Sequence, residues 1–489
     1  MTTSPTVLHA LRSPRLLRIE VLAGLVTALA LIPEALSFSI LAGVDPSVGL
    51  FASFTMAVAI SVFGGRPAMI SGAAGSVALV IAPVVRDHGM EYFLATVLLA
   101  GVFQVALGLT GAARLMRFVP RSVMVGFVNA LAILIFLAQV PHLVHVPWAV
   151  YPLVAVGIAI IVLLPRLTSV VPSPLVAIIV LTGFVVLTGL DLPTVGDEGA
   201  LPHGLPSLVL PHVPLTWETF RTIAPYALGV ALVGILESLL TAKLVDDLTD
   251  SGSDKTRETI GQGAANLVTG LFGGIAGCAM IGQTMVNVKA AGARTRLSTF
   301  LTGVFLLVLV VVLGEAVGAM PMAALVAVMV MVSVMTFDWH SLVSLRRMPR
   351  SETTVMLTTV AVVVATHNLA IGVIVGVLVA TVLFARRVAH LTETHRTLGE
   401  DEHGPYALYR VTGELFFASS NDLYTQFAYA EDPARVVIDL GASHIWDAST
   451  VATLDAITTK YARRGATVEI TGLNEASAER HELLSGRLG

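Results

Sequence analysis

Gly72-Ala73-Ala74-Gly75-Ser76 breaks one apolar stretch of the chain, and Gly274-Ile275-Ala276-Gly277-Cys278 breaks another, 202 residues later. The acid Glu34 is matched by Glu237 at an offset of 203, and Pro120 by Pro321 at an offset of 201. Irregular features that recur at one spacing indicate two copies of one unit. Glycine tolerates backbone conformations that unwind a helix, and unwound backbone survives at membrane depth only where protein or a cavity satisfies its amides. Paired glycine-broken segments at corresponding repeat positions point to a transporter's binding site. The other reading, small residues that let helices pack closely, suits one such motif better than a matched pair.

The rest of the sequence fits a membrane setting. Of 489 residues, 55% are hydrophobic and 13% charged, about half the charged share of soluble domains. Fourteen apolar stretches read as spans lie near 19–40, 48–64, 70–85, 92–113, 119–140, 148–165, 172–190, 219–243, 258–273, 277–289, 297–314, 319–336, 353–367 and 369–388, those at 70–85 and 277–289 being short and glycine-broken. Seven spans per copy force the second copy to enter from the opposite side, giving inverted repeats over about 19–190 and 219–388. Lys and Arg collect in cytoplasmic loops. Arg12, Arg15 and Arg18, then Arg66, Arg114, Arg117, Arg121, Arg166, Lys243, Lys255, Arg257, Lys289, Arg294, Arg296, Arg346, Arg347, Arg350, Arg386 and Arg387 fall on one side, against only Arg86 and Arg221 on the other. Both termini are therefore expected in the cytoplasm of a cell with the chain in its inner membrane. Residues 1–18 form a cytoplasmic segment without the apolar core of a signal peptide, and 19–390 form the transport domain.

From 391 to 489 charge density rises and alternation appears. Strands are expected at Tyr406–Val411, Arg435–Leu440 and Ala466–Thr471, with a helix over Ser449–Arg464, which describes a small cytoplasmic α/β domain. Net charge −4 offers no footprint for nucleic acid. Cys278 is the single cysteine, so no intrachain disulfide forms. No catalytic constellation, metal ligand set or cofactor motif stands out, and the chain is expected not to be an enzyme. Asp246, Asp247, Asp250 and Asp254 read as a solvated acidic loop.

Ile32-Pro33-Glu34-Ala35-Leu36-Ser37-Phe38, Gly43-Val44-Asp45-Pro46-Ser47-Val48-Gly49-Leu50, Gly277-Cys278-Ala279-Met280-Ile281-Gly282-Gln283 and Gly292-Ala293-Arg294-Thr295 resemble the sulfate permease (SulP) family of anion transporters. The tail, with Val437-Ile438-Asp439-Leu440 and Trp446-Asp447-Ala448-Ser449-Thr450, resembles a STAS domain. The resemblance implies a polytopic α-helical fold of fourteen spans in a 7+7 inverted repeat, of the uracil-permease-like kind. In it a core (spans 1–4 and 8–11) moves as an elevator against a gate (5–7 and 12–14), and two chains form a homodimer. It also implies an anion site between the starts of the third and tenth spans. The residues carried onto this sequence are Glu34, where the family usually has Gln, with Phe38, Ala74, Gly75, Ser76, Ala279, Met280, Ile281 and Gln283. Many animal relatives carry Ser-Arg where this chain reads Ile281-Gly282. Sodium-driven bicarbonate members place an acid and hydroxyls on the eighth span, matched here by Glu237, Ser238 and Thr241 as an ion site or a structural bond. Soluble STAS proteins are phosphorylated within an Asp-Ser-Ser/Thr-Gly motif that this tail lacks, so Ser449 is expected to cap a helix.

No Lys or Arg falls within the pocket segments, so positive potential there must come from helix N-termini, about half a charge each. A carboxylate beside an anion at low dielectric repels it; the state that admits the anion carries a protonated Glu34. The expectation is proton–anion symport across the bilayer, with a compact dicarboxylate such as fumarate as cargo. Sodium-coupled or uncoupled transport of bicarbonate, sulfate or chloride, and an anion channel, are the alternatives.

Overall fold

The computed structural model describes residues 6–111, 119–167, 172–199, 204–345, 347–389 and 392–487. Arg114, Arg117, Arg346 and the expected boundary at 390–391 lie outside them. Two compact units divide the chain, Met1–Val377 and Leu378–Gly489.

The larger unit is built of α1 (Val7–Arg12), α2 (Pro14–Ala42), α3 (Pro46–Phe63), β1 (Ser71–Ala73), α4 (Gly75–Leu109), α5 (Arg121–Gln139), α6 (Val150–Leu167), α7 (Ser173–Thr188), α8 (Trp217–Thr249), α9 (Lys255–Leu271), β2 (Gly277–Ala279), α10 (Ile281–Met285), α11 (Arg296–Gly318), α12 (Met322–Thr336), α13 (Trp339–Ser344) and α14 (Arg350–Thr366), with α15 (Leu369–Ala389) starting in it. Among the described residues nine helices are long and apolar enough to cross a bilayer. Apolar side chains surround these helices because lipid, not water, faces them. The stretches read as third and fourth spans form one assigned helix, α4, broken at Gly89 (φ 82°), a backbone angle that glycine accepts without steric cost. The tenth span is shorter than expected: β2, then α10, then one π turn at Val286–Ala290.

Helices α2, α3, α4, α8, α9 and α11 pack on one another, while α5, α6, α7, α12 and α14 form a second group. The prolines matched in the sequence have one structural job, since Pro120 and Pro321 are the N-caps of α5 and α12. These two helices are joined where Ser333 Oγ donates to the Ala132 carbonyl at 2.7 Å.

In the acidic stretch after the eighth span Asp247, Asp250 and Asp254 are exposed, and Asp246 is the exception to a solvated reading. Asp246 lies in α8 and binds Arg66 at 3.0 Å and Lys255 at 2.6 Å. The Arg66 side chain is 3% exposed and also donates to the Ser251 and Thr249 hydroxyls. A charge so far from water is stable only when paired. Asp254 instead N-caps α9. Close by, fully buried Glu258 accepts from the Gly65 and Arg66 amides at 2.7 and 2.9 Å. Glu20 accepts from the amides of Arg294, Thr295 and Ser298, at 2.8, 3.0 and 3.0 Å, closing the start of α11.

The smaller unit holds β3 (Glu393–Asp401), β4 (Gly404–Leu415), α16 (Ser420–Thr425), β5 (Arg435–Ile445), α17 (Ala448–Ala462), β6 (Thr467–Thr471) and α18 (Glu475–Leu484). The sheet order is β3-β4-β5-β6, with β3/β4 antiparallel and the other pairs parallel. Asp447 caps α17 by accepting from the Thr450 amide; Ser449 does not, because its side chain is exposed one residue inside the helix. The Asp432 carboxylate accepts from Tyr409 (2.6 Å), Tyr461 (2.5 Å) and Arg396 (2.7 Å). Burial, then the hydrogen bond to Asp432, holds both phenols protonated above the usual tyrosine range.

Replacing Arg66 with Ala strands Asp246 with only a partly exposed lysine and should cost about 3 kcal/mol. Thermal unfolding of the purified protein should show a large fall in melting temperature that Arg66→Lys restores only in part.

Candidate functional site

At the centre of the larger unit, β1 and β2 form a two-stranded antiparallel ribbon, with Ser71 opposite Ala279, Gly72 opposite Cys278 and Ala73 opposite Gly277. The ribbon corrects the repeat register. Strand starts (71 and 277) and helix starts (75 and 281) correspond at an offset of 206, not 202; Gly274 precedes the strand instead of opening it. Gly72 and Cys278 correspond to each other and face each other, as an axis passing between them requires.

A ribbon this short leaves its outer amides unpaired, and side chains of neighbouring helices take them up. Ser53 accepts from the Ala73 amide at 3.2 Å, Ser238 from Ala279 at 3.0 Å, and Thr284 from Ile70 at 3.0 Å. The Asn266 amide both accepts from Gly277 N–H at 2.8 Å and donates to its carbonyl at 3.0 Å. Gln262 donates to the Ser71 hydroxyl at 2.7 Å. Sequence reasoning missed Ser53, Gln262, Asn266 and Thr284. The available signal was Gln262 and Asn266, four apart and so on one face of an otherwise small-residue span.

Each strand leads directly into a helix, α4 at Gly75 and α10 at Ile281, and neither N-terminus has a side-chain cap. Two helix starts therefore converge on the ribbon, each with the partial positive charge of free amides. The two acids cross between the repeats. Glu237, on α8, accepts from the Ser76 hydroxyl at the start of α4, and the Cys278 thiol donates to it at 3.2 Å. Glu34, on α2, is half-buried, with the Gln283 side chain in the first turn of α10 as its polar neighbour. One turn further along α2, the Phe38 ring covers Gly75, where a Cβ would sit 2.7 Å from the ring.

Glu34, Phe38, Gly75, Ser76 and Gln283 are thus gathered at the two helix starts. Ala74 and Met280 are the N-cap residues, and Ala279 is buried in the ribbon. Ile281 opens α10 and is half-buried. The Ser238 hydroxyl accepts from the Ala279 amide, while the Thr241 hydroxyl donates to the Glu237 carbonyl of its own helix at 2.8 Å and lies 3.3 Å from the Ala279 carbonyl. Gly282 is exposed, and a Cβ there would meet nothing within 4 Å, so open space adjoins the start of α10.

The sulfate permease family pattern matches residues 17–160 and 145–359, and the STAS domain pattern residues 400–485. YbaR of Bacillus subtilis (strain 168), named for sulfate transport, is 53% identical over 94% of this chain and 95% of its own. The transmembrane domain of a cyanobacterium bicarbonate transporter, BicA, superimposes with TM-score 0.64 at 26% identity over 75% of this chain and 98% of its own. The murine anion transporter Slc26a9 in the inward-facing state shares the fold, with TM-score 0.81 over 95% of this chain and 87% of its own, at 16% identity.

Gly277→Ala would place its Cβ 2.2 Å from the Gly72 carbonyl oxygen and should destabilise the protein by about 1–3 kcal/mol or more. Gly282→Ala should leave the melting temperature unchanged, and the pair of melts checks the ribbon geometry.

Proposed function

The chain belongs to the sulfate permease family of anion transporters, and within it we propose a secondary active transporter that moves a small anion together with a proton held on Glu34. The observation that carries this reading is the place of Glu34. It stands beside Gln283 in the first turn of α10, one turn of α2 from the Phe38 ring on the start of α4. Residues 34–38, 71–76 and 277–283 contain no Lys or Arg, so the anion is held by helix N-termini alone.

An ionised Glu34 at roughly 4 Å from such an anion would oppose it by about 4 kcal/mol at the effective dielectric of a protein site, roughly a thousandfold in affinity. Protonation removes that opposition. The proton and the anion each make the other's binding favourable, and such reciprocal coupling is the thermodynamic content of symport. Carriage by an elevator-like movement of one helix group against the other, a homodimeric assembly, inner-membrane residence and cytoplasmic termini complete the proposal.

The cargo we favour is a compact dicarboxylate such as fumarate. Ala74 and the open space at Gly282 leave room for a ligand longer than a tetrahedral oxyanion, and two separated carboxylates suit two separated helix starts. The second reading is sodium-coupled or uncoupled transport of an inorganic anion. The likeness to a bicarbonate transporter favours it, with Glu237, Ser238 and Thr241 as the ion site. Against it, the Ser238 hydroxyl already accepts from the Ala279 amide and the Thr241 hydroxyl already donates to the Glu237 carbonyl of its own helix at 2.8 Å, which suits a structural bond.

Proteoliposome uptake of labelled fumarate, bicarbonate and sulfate separates these readings. An inward proton gradient should drive accumulation of the dicarboxylate, and Glu34→Gln should keep binding while losing dependence on the gradient. Uptake that ignores pH and follows sodium would overturn the mechanism, and uptake of bicarbonate alone would overturn the cargo.

A further inference from the structure

Between α4 and α8 lies a groove of about 470 Å³, lined by none of the residues gathered at the two helix starts. Ala95, Leu99 and Val102 of α4 form one wall, Phe220 and Ile223 of α8 the other, and the segment Pro211–Leu215 the roof. No charged side chain lines it. Its two threonines, Thr216 and Thr219, have hydroxyls 3.2 Å apart, and Thr216 also caps α8. A cavity without polar partners does not hold ordered water, and this volume lies in the range of ligand-enclosing clefts.

The roof belongs to a strap of irregular backbone, residues 204–216, tied down at two points. The Val209 amide donates to the Leu271 carbonyl at 2.7 Å, and the His212 amide to Glu91 at 2.6 Å. Pro206, Pro211 and Pro214 remove three N–H groups that would otherwise need partners. Leu215 is 100% exposed, beside the exposed Leu205, Leu208, Leu210 and Trp217. Such a run of apolar side chains would be a liability in water and suits the boundary of the lipid. Val102 and Leu228 are exposed along the same two helices, so the mouth of the groove is continuous with the surface that lipid already covers.

We propose that this groove is a phospholipid site: one acyl chain lies between α4 and α8 beneath the strap, held more firmly than the surrounding lipid. This assignment is independent of the role given to Glu34.

Native mass spectrometry of the full-length protein, purified and then washed with lipid-free detergent, tests it. The wild type should retain phospholipid, and Leu99→Trp, which fills the groove, should lose one lipid per chain. Because that variant could fail to fold, a second measurement uses the native groove. With Trp148, Trp339 and Trp446 replaced by Phe, Trp217, stacked on the groove residue Phe220, should keep a fraction of its quenching by chain-brominated phosphatidylcholine after dilution into unlabelled vesicles, reporting slow exchange. Equal lipid retention in the wild type and the filled variant, or quenching lost as fast as bulk lipid exchanges, would overturn the site. So would efficient cross-linking of Leu215→Cys between two chains in a Cys278→Ser background, since a second copy would then cover the groove.

Discussion

The larger unit is organised by one requirement: polar backbone that leaves helical geometry at membrane depth must find partners inside the protein. The β1/β2 ribbon is where that requirement is most severe. Three residues per strand pair with each other, the outer amides are met by Ser53 from α3, Ser238 from α8, Asn266 from α9 and Thr284 from α10, and Gln262 of α9 holds the Ser71 hydroxyl. Each of these contacts ties a helix to the ribbon, so the polar network both supports the break and fixes the positions of four helices around it. Thr55 and Thr269, 2.9 Å apart, add a direct link between α3 and α9. Together these bonds between helices and ribbon hold two helix starts pointed at one place.

Charge follows the same economy. Far from the ribbon, carboxylates are paired or accept several amides, as Asp246, Glu258 and Glu20 do. Beside the ribbon, Glu34 and Glu237 have only neutral partners: Gln283 for the first, Ser76 and Cys278 for the second. An acid whose partners are hydroxyl, thiol or amide can trade a proton without stranding a fixed cation. An acid bolted to a guanidinium, such as Asp246, cannot. This contrast separates the acids suited to coupling from those that hold the fold together.

Much of this arrangement was readable from the residues. The membrane class followed from composition, and the two glycine-broken segments pointed to the ribbon. The carried-over residues Glu34, Phe38, Ser76 and Gln283 do converge. What could not be read was register. An antiparallel ribbon of three residues is set by side-chain partners from distant helices, and the glycines, which align at 202, mislead: at 206 Gly72 meets Cys278 and Gly75 meets Ile281. Asp246 was misjudged because its partner Arg66 lies 180 residues earlier, beyond the reach of any local pattern. In the tail, β3 escaped notice because its residues are almost all exposed or half-exposed, so no apolar alternation marks it. Ser449 was given a capping role that Asp447, two residues earlier, performs.

A structure of the protein with its transported anion bound at acid pH addresses the central claim most directly. The account predicts a ligand seated between the first turns of α4 and α10, contacted by backbone N–H groups and by the protonated Glu34 carboxyl, with no lysine or arginine touching it. A guanidinium or ammonium group on the ligand, or a ligand bound away from Glu34, would contradict it.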